Sequence, residues 1–182
     1  MARIYMVRHG KASASWAEAA DPGLDETGRA EAQAAADVLS KLTPMAILSS
    51  PLARARETAE PLEMAWSIHA RIEPGVAEVP SPDIALEGRG AWLRGLMSGR
   101  WREADAMRRG WRDGVVATLV RQPKDCAIFS HFVAINVAVG AAIGDDRATI
   151  FSPGNGSITI FETDGTRLSL IEKGREAETV VR

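Results

Sequence analysis

Cysteine is nearly missing from this sequence: Cys126 is the single one, so no disulfide can staple the chain to itself. It sits in the apolar run Cys126-Ala127-Ile128-Phe129 and reads as a small core residue. Histidine is also scarce, and His9, His69 and His131 lie too far apart to have metal-ligand spacing, with no CxxC anywhere. Any histidine chemistry is therefore expected to be metal-free and to need no cofactor. No run approaches the ~18 apolar residues of a membrane span, and the apolar stretch at the N-terminus is too short for a signal-peptide core. The reading is a cytoplasmic protein with no membrane partner. A net charge of −2 offers no global attraction for nucleic acid. Neither an internal repeat nor a low-complexity linker divides the 182 residues, so a single domain over 1–182 is expected. Nothing in the chain speaks to oligomeric state.

What the sequence does have is a succession of short apolar runs, each ending in polar residues. Arg3 to Val7 reads as a buried strand that delivers Arg8-His9-Gly10 at its C-terminal end. Asp25 can cap a helix running to about Leu42, with Ala32, Ala35, Ala36 and Leu39 as its buried stripe. Met45 to Leu48 is a second strand. Ser49-Ser50-Pro51 then supplies a capping hydroxyl followed by proline, which predicts a helix from there to about Ala65. Ser67 to Glu73 alternates as a half-exposed strand would, and Pro74, Pro80 and Pro82 enforce an irregular loop that carries Glu78. Residues 85–122 read as two or more helices broken by glycines, within a helical lid or insert at about 79–122. Cys126 to Ser130 is a third buried strand ending at His131, and Ser157 to Phe161 with Leu168 to Ile171 form a closing pair around Asp164-Gly165.

Strands alternating with helices predict an α/β fold, a three-layer α/β/α sandwich with a mainly parallel central sheet, in which ligands bind beyond the carboxyl ends of the strands. Arg8-His9, Ser49-Ser50 and His131 all fall there. Phosphoryl transfer needs cationic donors around the phosphoryl oxygens, an in-line nucleophile and a proton for the leaving alkoxide. His9 can attack through a neutral ring nitrogen, Arg8 and Arg54 offer guanidinium forks, and His131 adds a donor. Arg56 competes with Arg54, but two positions along a helix rotate it by about 200°, toward the other face.

The Arg8-His9-Gly10 signature, the stretch Ser49-Ser50-Pro51-Leu52-Ala53-Arg54-Ala55-Arg56-Glu57-Thr58-Ala59 and the strand-terminal His131 together resemble the hallmark segments of the histidine phosphatase, or phosphoglycerate mutase-like, superfamily. Leu24-Asp25-Glu26-Thr27-Gly28, the loop at Glu78 and Asn155-Gly156-Ser157-Ile158-Thr159 are similar to its weaker features. The resemblance implies a phosphoglycerate mutase-like fold and a hydrolase acting on small phosphorylated metabolites. It also implies that His9 accepts the phosphoryl group, that Arg8, Arg54 and His131 bind it, and that Glu78 donates the proton, with Asp83 and Glu87 as substitutes. Lys11, Ala12, Ser15 and Phe132 depart from the pattern common in the family, which weakens a specific phosphoglycerate mutase assignment. The alternatives are mutase-type phosphotransfer, a phosphohistidine-protein phosphatase, or a catalytically weak phospho-ligand binding module.

Two further features read as structural. His69 lies on the polar face of its segment and is taken as a surface residue. Seven arginines between Arg89 and Arg112, interleaved with Trp92, Trp101 and Trp111, read as core tryptophans under a lid that attracts anions, in preference to a nucleic-acid patch.

Overall fold

In the computed structural model, which describes residues 1–15 and 18–178, each central strand sends alternate side chains into two different cores. The first strand, β1 (Ala2–Arg8), turns Ile4 and Met6 to one face and Val7 to the other. The strand at Cys126–Ser130 does the same with Cys126 and Ile128 against Ala127 and Phe129. A strand apolar on both faces is stable only where both faces are covered. Helices α1 (Glu26–Leu39) and α2 (Ala53–Trp66) cover one side, with Ala35, Ala36, Leu39, Ala55, Ala59 and Leu62 as the packed stripe. The short α3 (Arg89–Met97) lies on the other side and packs its Trp92, Leu93, Leu96 and Met97 against the second core. Helix α4 (Ala106–Val120) contributes Val115 and Leu119 to that core, and α5 (Phe132–Ile143) contributes Val133 to Val139.

The sheet has six strands in the order β3-β2-β4-β1-β5-β6, with β2 Ala46–Ser49, β3 Arg71–Ile72, β4 Cys126–Ser130, β5 Ile158–Thr163 and β6 Leu168–Glu172. Strands β3, β2, β4 and β1 run parallel, and β5 alone is reversed against its neighbours β1 and β6. The three-layer α/β/α reading is thus the observed fold. β1 sits between β4 and β5, so Arg8 pairs with Ser130 and the ends of β1 and β4 lie side by side.

Asp25 caps α1 by accepting from the Gly28 amide at 2.7 Å, and the helix ends at Leu39, three residues before the expected Leu42. Two further expectations need correction. The second helix starts at Ala53, so Leu52 occupies the cap position and Ser50 does not. The cause is that the Ser50 amide pairs with Phe129 O at 3.0 Å and holds this residue extended, while Asp21 from a distant loop accepts from the Ala53 amide at 2.8 Å. The strand expected over Ser67 to Glu73 shrinks to Arg71–Ile72, because Ser67 adopts a left-handed φ of 54° to end α2 and the chain spends the next residues reversing. Helix α5 is apolar on nearly all sides and so carries no helical period in the sequence.

Candidate active site

Three chain ends meet at the carboxyl edge of the sheet. His9 continues β1, its amide donating to Ser130 O at 3.0 Å; Ser50 continues β2; and His131 follows β4. The turn at Gly10 is made possible by glycine on both sides of a contact. A Cβ at Gly10 would sit 2.4 Å from Gly28 O, and one at Gly28 would sit 2.2 Å from Lys11 O. This interlock brings the N-terminus of α1 against the loop after His9.

The His9 ring has its tautomer set by the backbone. Nδ1 lies 2.7 Å from Gly10 O, which can only accept, so Nδ1 carries the hydrogen and Nε2 keeps its lone pair. Arg54 Nε donates to that Nε2 at 3.2 Å. Burial, followed by the Arg54 and Arg8 charges, lowers the His9 pKa to about 3. The ring is neutral near pH 7. Asn155 Nδ2 donates to His9 O at 2.9 Å, and the Gly10 amide donates to Thr58 Oγ1 at 2.9 Å, fixing the loop on both sides.

Arg54 stands in the first turn of α2 with a buried guanidinium, while Arg56 is exposed and its Nε returns to Pro51 O, as the helix-face argument predicts. Arg8 donates from Nη1 to Pro153 O at 2.8 Å, with its Cζ 5.2 Å from the centre of the Phe132 ring. The buried Arg8 Nε and Arg54 Nη1 have no hydrogen-bond partner. Two unpaired guanidinium donors beside one neutral imidazole have the chemistry to receive an anion.

Glu78 shares the cavity with them. Its Oε2 accepts from the Val133 amide in the first turn of α5 at 3.2 Å, and its Oε1 accepts from its neighbour Val79 at 3.1 Å. Burial raises its pKa against these bonds and the pull of Arg54. Asp83 and Glu87 do not line this cavity. Asp83 is half exposed and bound to Arg108, which holds its carboxyl below the usual range, and Glu87 lies on the surface.

His131 is placed differently from the other four. It is fully buried, 5.2 Å from His9 between ring centres, and does not form part of the cavity wall. Its Nε2 lies 2.7 Å from Ser50 Oγ, and its Nδ1 is buried without a partner. Burial, then the charges of His9, Arg54 and Arg8, lower its pKa well below the usual value.

The cavity measures about 690 Å³, and its wall also includes Lys11, Ala12, Leu93, Met97 and Phe132. A second concavity of about 650 Å³ between α4 and α5, lined by Trp101, Val116 and Gly140 among others, lies away from all these groups. Sequence reasoning did not find Thr58 or the cavity residues Leu93 and Met97; a hydroxyl four residues after Arg54 was the available signal for the first. Among the described residues no cluster of three or more His, Cys, Asp or Glu side chains could hold a metal. His69 is at the surface, and Cys126 is buried with its thiol pushed up to about 12. Within the arginine-rich segment, Arg108 is buried on Asp83 and Asp105, and Arg112 pairs with Asp113 and Asp146, so part of that charge is neutralised locally.

No helix is long and apolar enough to cross a membrane among the described residues. No curated protein matches the sequence. Among solved structures, the mycobacterial glucosyl-3-phosphoglycerate phosphatase is 23% identical, with 97% of this chain and 100% of that chain covered at a TM-score of 0.72. An Escherichia coli protein provisionally named an alpha-ribazole-5'-P phosphatase is 19% identical, covering 97% and 98% at 0.75. Phosphoglycerate mutase from Thermus thermophilus is 19% identical, covering 96% and 99% at 0.63. These likenesses establish the shared fold. The model of the histidine phosphatase superfamily (branch 1) matches residues 4–174, a span that holds every element of the site, and the chain belongs to that superfamily.

Proposed function

We propose that this chain is a phosphomonoester hydrolase for small phosphorylated metabolites that passes the phosphoryl group through His9. The observation that carries the reading is the pair of unpartnered buried donors, Arg8 Nε and Arg54 Nη1, flanking an imidazole whose Nε2 lone pair is kept free of protons. Phosphatase and mutase names among the structural neighbours agree with it.

In the proposed reaction Arg8 and Arg54 receive the phosphoryl oxygens, and Arg54 gives up its weak bond to Nε2 for the stronger charged acceptor. Nε2 then attacks phosphorus while the ester P–O bond breaks. Glu78, whose carboxyl burial biases toward the protonated form, passes a proton to the departing alkoxide. Nδ1 keeps its hydrogen, donated to Gly10 O, so the phosphorylated ring is cationic and a good leaving group in turn. Water, losing a proton to the Glu78 carboxylate, attacks phosphorus and releases inorganic phosphate. His131 acts from behind His9, where its Nδ1 can join the phosphoryl contacts only if the anion reaches the sheet edge.

The test is to quench a brief reaction with a labelled aryl phosphate in alkali, where phosphohistidine survives. One acid-labile label per chain on His9 is expected, and a label on serine, an acid-stable label, or full turnover in His9→Ala would reject the mechanism. Glu78→Gln should slow release of a poor alkoxide far more than of an activated phenolate, because only the former needs the proton.

A further inference from the structure

The cavity beside His9 is uneven in charge. Of its described lining residues only Arg8, Arg54 and Lys11 are cationic. The two arginines are consumed by one phosphoryl dianion. Lys11 is largely exposed and faces Asp25 at 3.4 Å, which offsets its charge. The acidic residues Glu18 and Asp25 stand on the same wall, and the Ser15 amide holds the Glu18 carboxyl below its usual range, so it stays ionised. What remains is largely hydrocarbon: Ala12, Ala14, Pro22, Leu93, Met97 and Phe132. Leu93 and Met97 are four residues apart on α3 and so present one face. Phe132 lies against the Arg8 guanidinium and so adjoins the phosphoryl pocket.

We propose that the substrate is a monoester whose phosphoryl group is its only anion and whose alcohol is apolar or aromatic, and that esters with a second carboxylate or phosphate are selected against. This rests on the hydrolase reading of the same cavity. A second anion would leave water for a largely apolar wall whose one remaining cation, Lys11, already faces Asp25, and would meet Glu18. An apolar alcohol instead displaces water from Leu93, Met97 and Phe132. Discrimination then comes from both an attractive wall and a repulsive one. A cavity of about 690 Å³ has room for a ring-bearing alcohol.

The experiment compares kcat/KM for 2-phenylethyl phosphate and 3-phosphoglycerate, both esters of a primary alcohol, so that P–O cleavage is alike in the two. The first should lead by at least about 100-fold. In the double variant Leu93→Ser, Met97→Ser the lead should fall about tenfold, because the guanidinium pair is untouched while the apolar face is lost. Competitive inhibition of the unaltered protein by 2-phenylethylphosphonate and by 3-phosphonopropanoate gives the same ranking without any substitution. Equal or better hydrolysis of 3-phosphoglycerate overturns the proposed class while leaving the hydrolase in place. Failure of both esters and of 4-nitrophenyl phosphate to release phosphate overturns both.

Discussion

Burying two neutral histidines beside two guanidinium groups makes the fold sensitive to acid, and the size of that effect for His9 follows from its displaced pKa. In the unfolded chain an imidazole takes up a proton at about 6.5, whereas His9 in the folded protein does so only at about 3. Protonation therefore favours the unfolded chain throughout the interval between these values. The stability that His9 leaves intact above the unfolded value is lost as pH falls toward the folded one, at up to about 1.4 kcal/mol per pH unit. Between pH 7 and pH 5 the two titrations give a loss of about 2 kcal/mol from His9 alone. His131 shifts in the same direction and adds to it; Glu78 shifts upward, so it opposes the trend. Urea unfolding followed by circular dichroism at the two pH values measures the total, and His9→Gln isolates the share of His9. The variant should lose about 2 kcal/mol less than the unaltered protein over this interval. Parallel losses in the two proteins would refute the claim that His9 is held neutral by its surroundings.

Three other outcomes are expected. Arg54→Ala should cost on the order of 3 kcal/mol in transition-state stabilisation by steady-state kinetics, while Arg56→Ala, on the exposed side of α2, should change little; equal effects would remove Arg54 from the site. Gly10→Ala must displace Gly28 O from 2.4 Å, so it should lower stability by about 2 kcal/mol or more and abolish activity together, as read by thermal unfolding and turnover. Arg108 ties Pro80 O, Asp83 and Asp105 and lies over Trp92, next to the loop bearing Glu78; Arg108→Met should slow esters of poor leaving groups about tenfold more than aryl esters, and an even loss across leaving groups would reduce it to a purely structural role.

Much of the site was legible because its parts are local. Arg8-His9-Gly10 follows an apolar run, and the helix period alone separates Arg54 from Arg56. The strand ends converge because β1, β2 and β4 are parallel neighbours, which the alternation of runs already implied. What stayed hidden depends on partners far away in sequence. The Glu78 carboxylate is held by the Val133 amide, Ala53 is capped by Asp21, and Ser50 is taken up by Phe129 and His131 in place of its own helix. No local rule contains such pairings. The alternating Ser67 to Glu73 segment misled for the opposite reason: its pattern is right for a strand, but it joins the β2 ladder at Arg71 and Ile72, with the Glu73 amide adding one bond to Ser49 O.

The position of β1 has a bearing on how the protein comes into being. It precedes the strands it pairs with by more than a hundred residues: its neighbours in the sheet are residues 126–130 and 158–163, and the Arg8 amide finds its acceptor in Ser157 O. Contacts so distant along the chain are costly to close and form late. While the ribosome is still making α2 or α4, His9 has neither the strand that aligns it nor the loop at Asn155 that holds its carbonyl. A chain stalled before residue 155 would carry the Arg-His-Gly segment without its chemistry, and the nucleophile becomes competent only once the segment at Asn155 to Ser157 has been made.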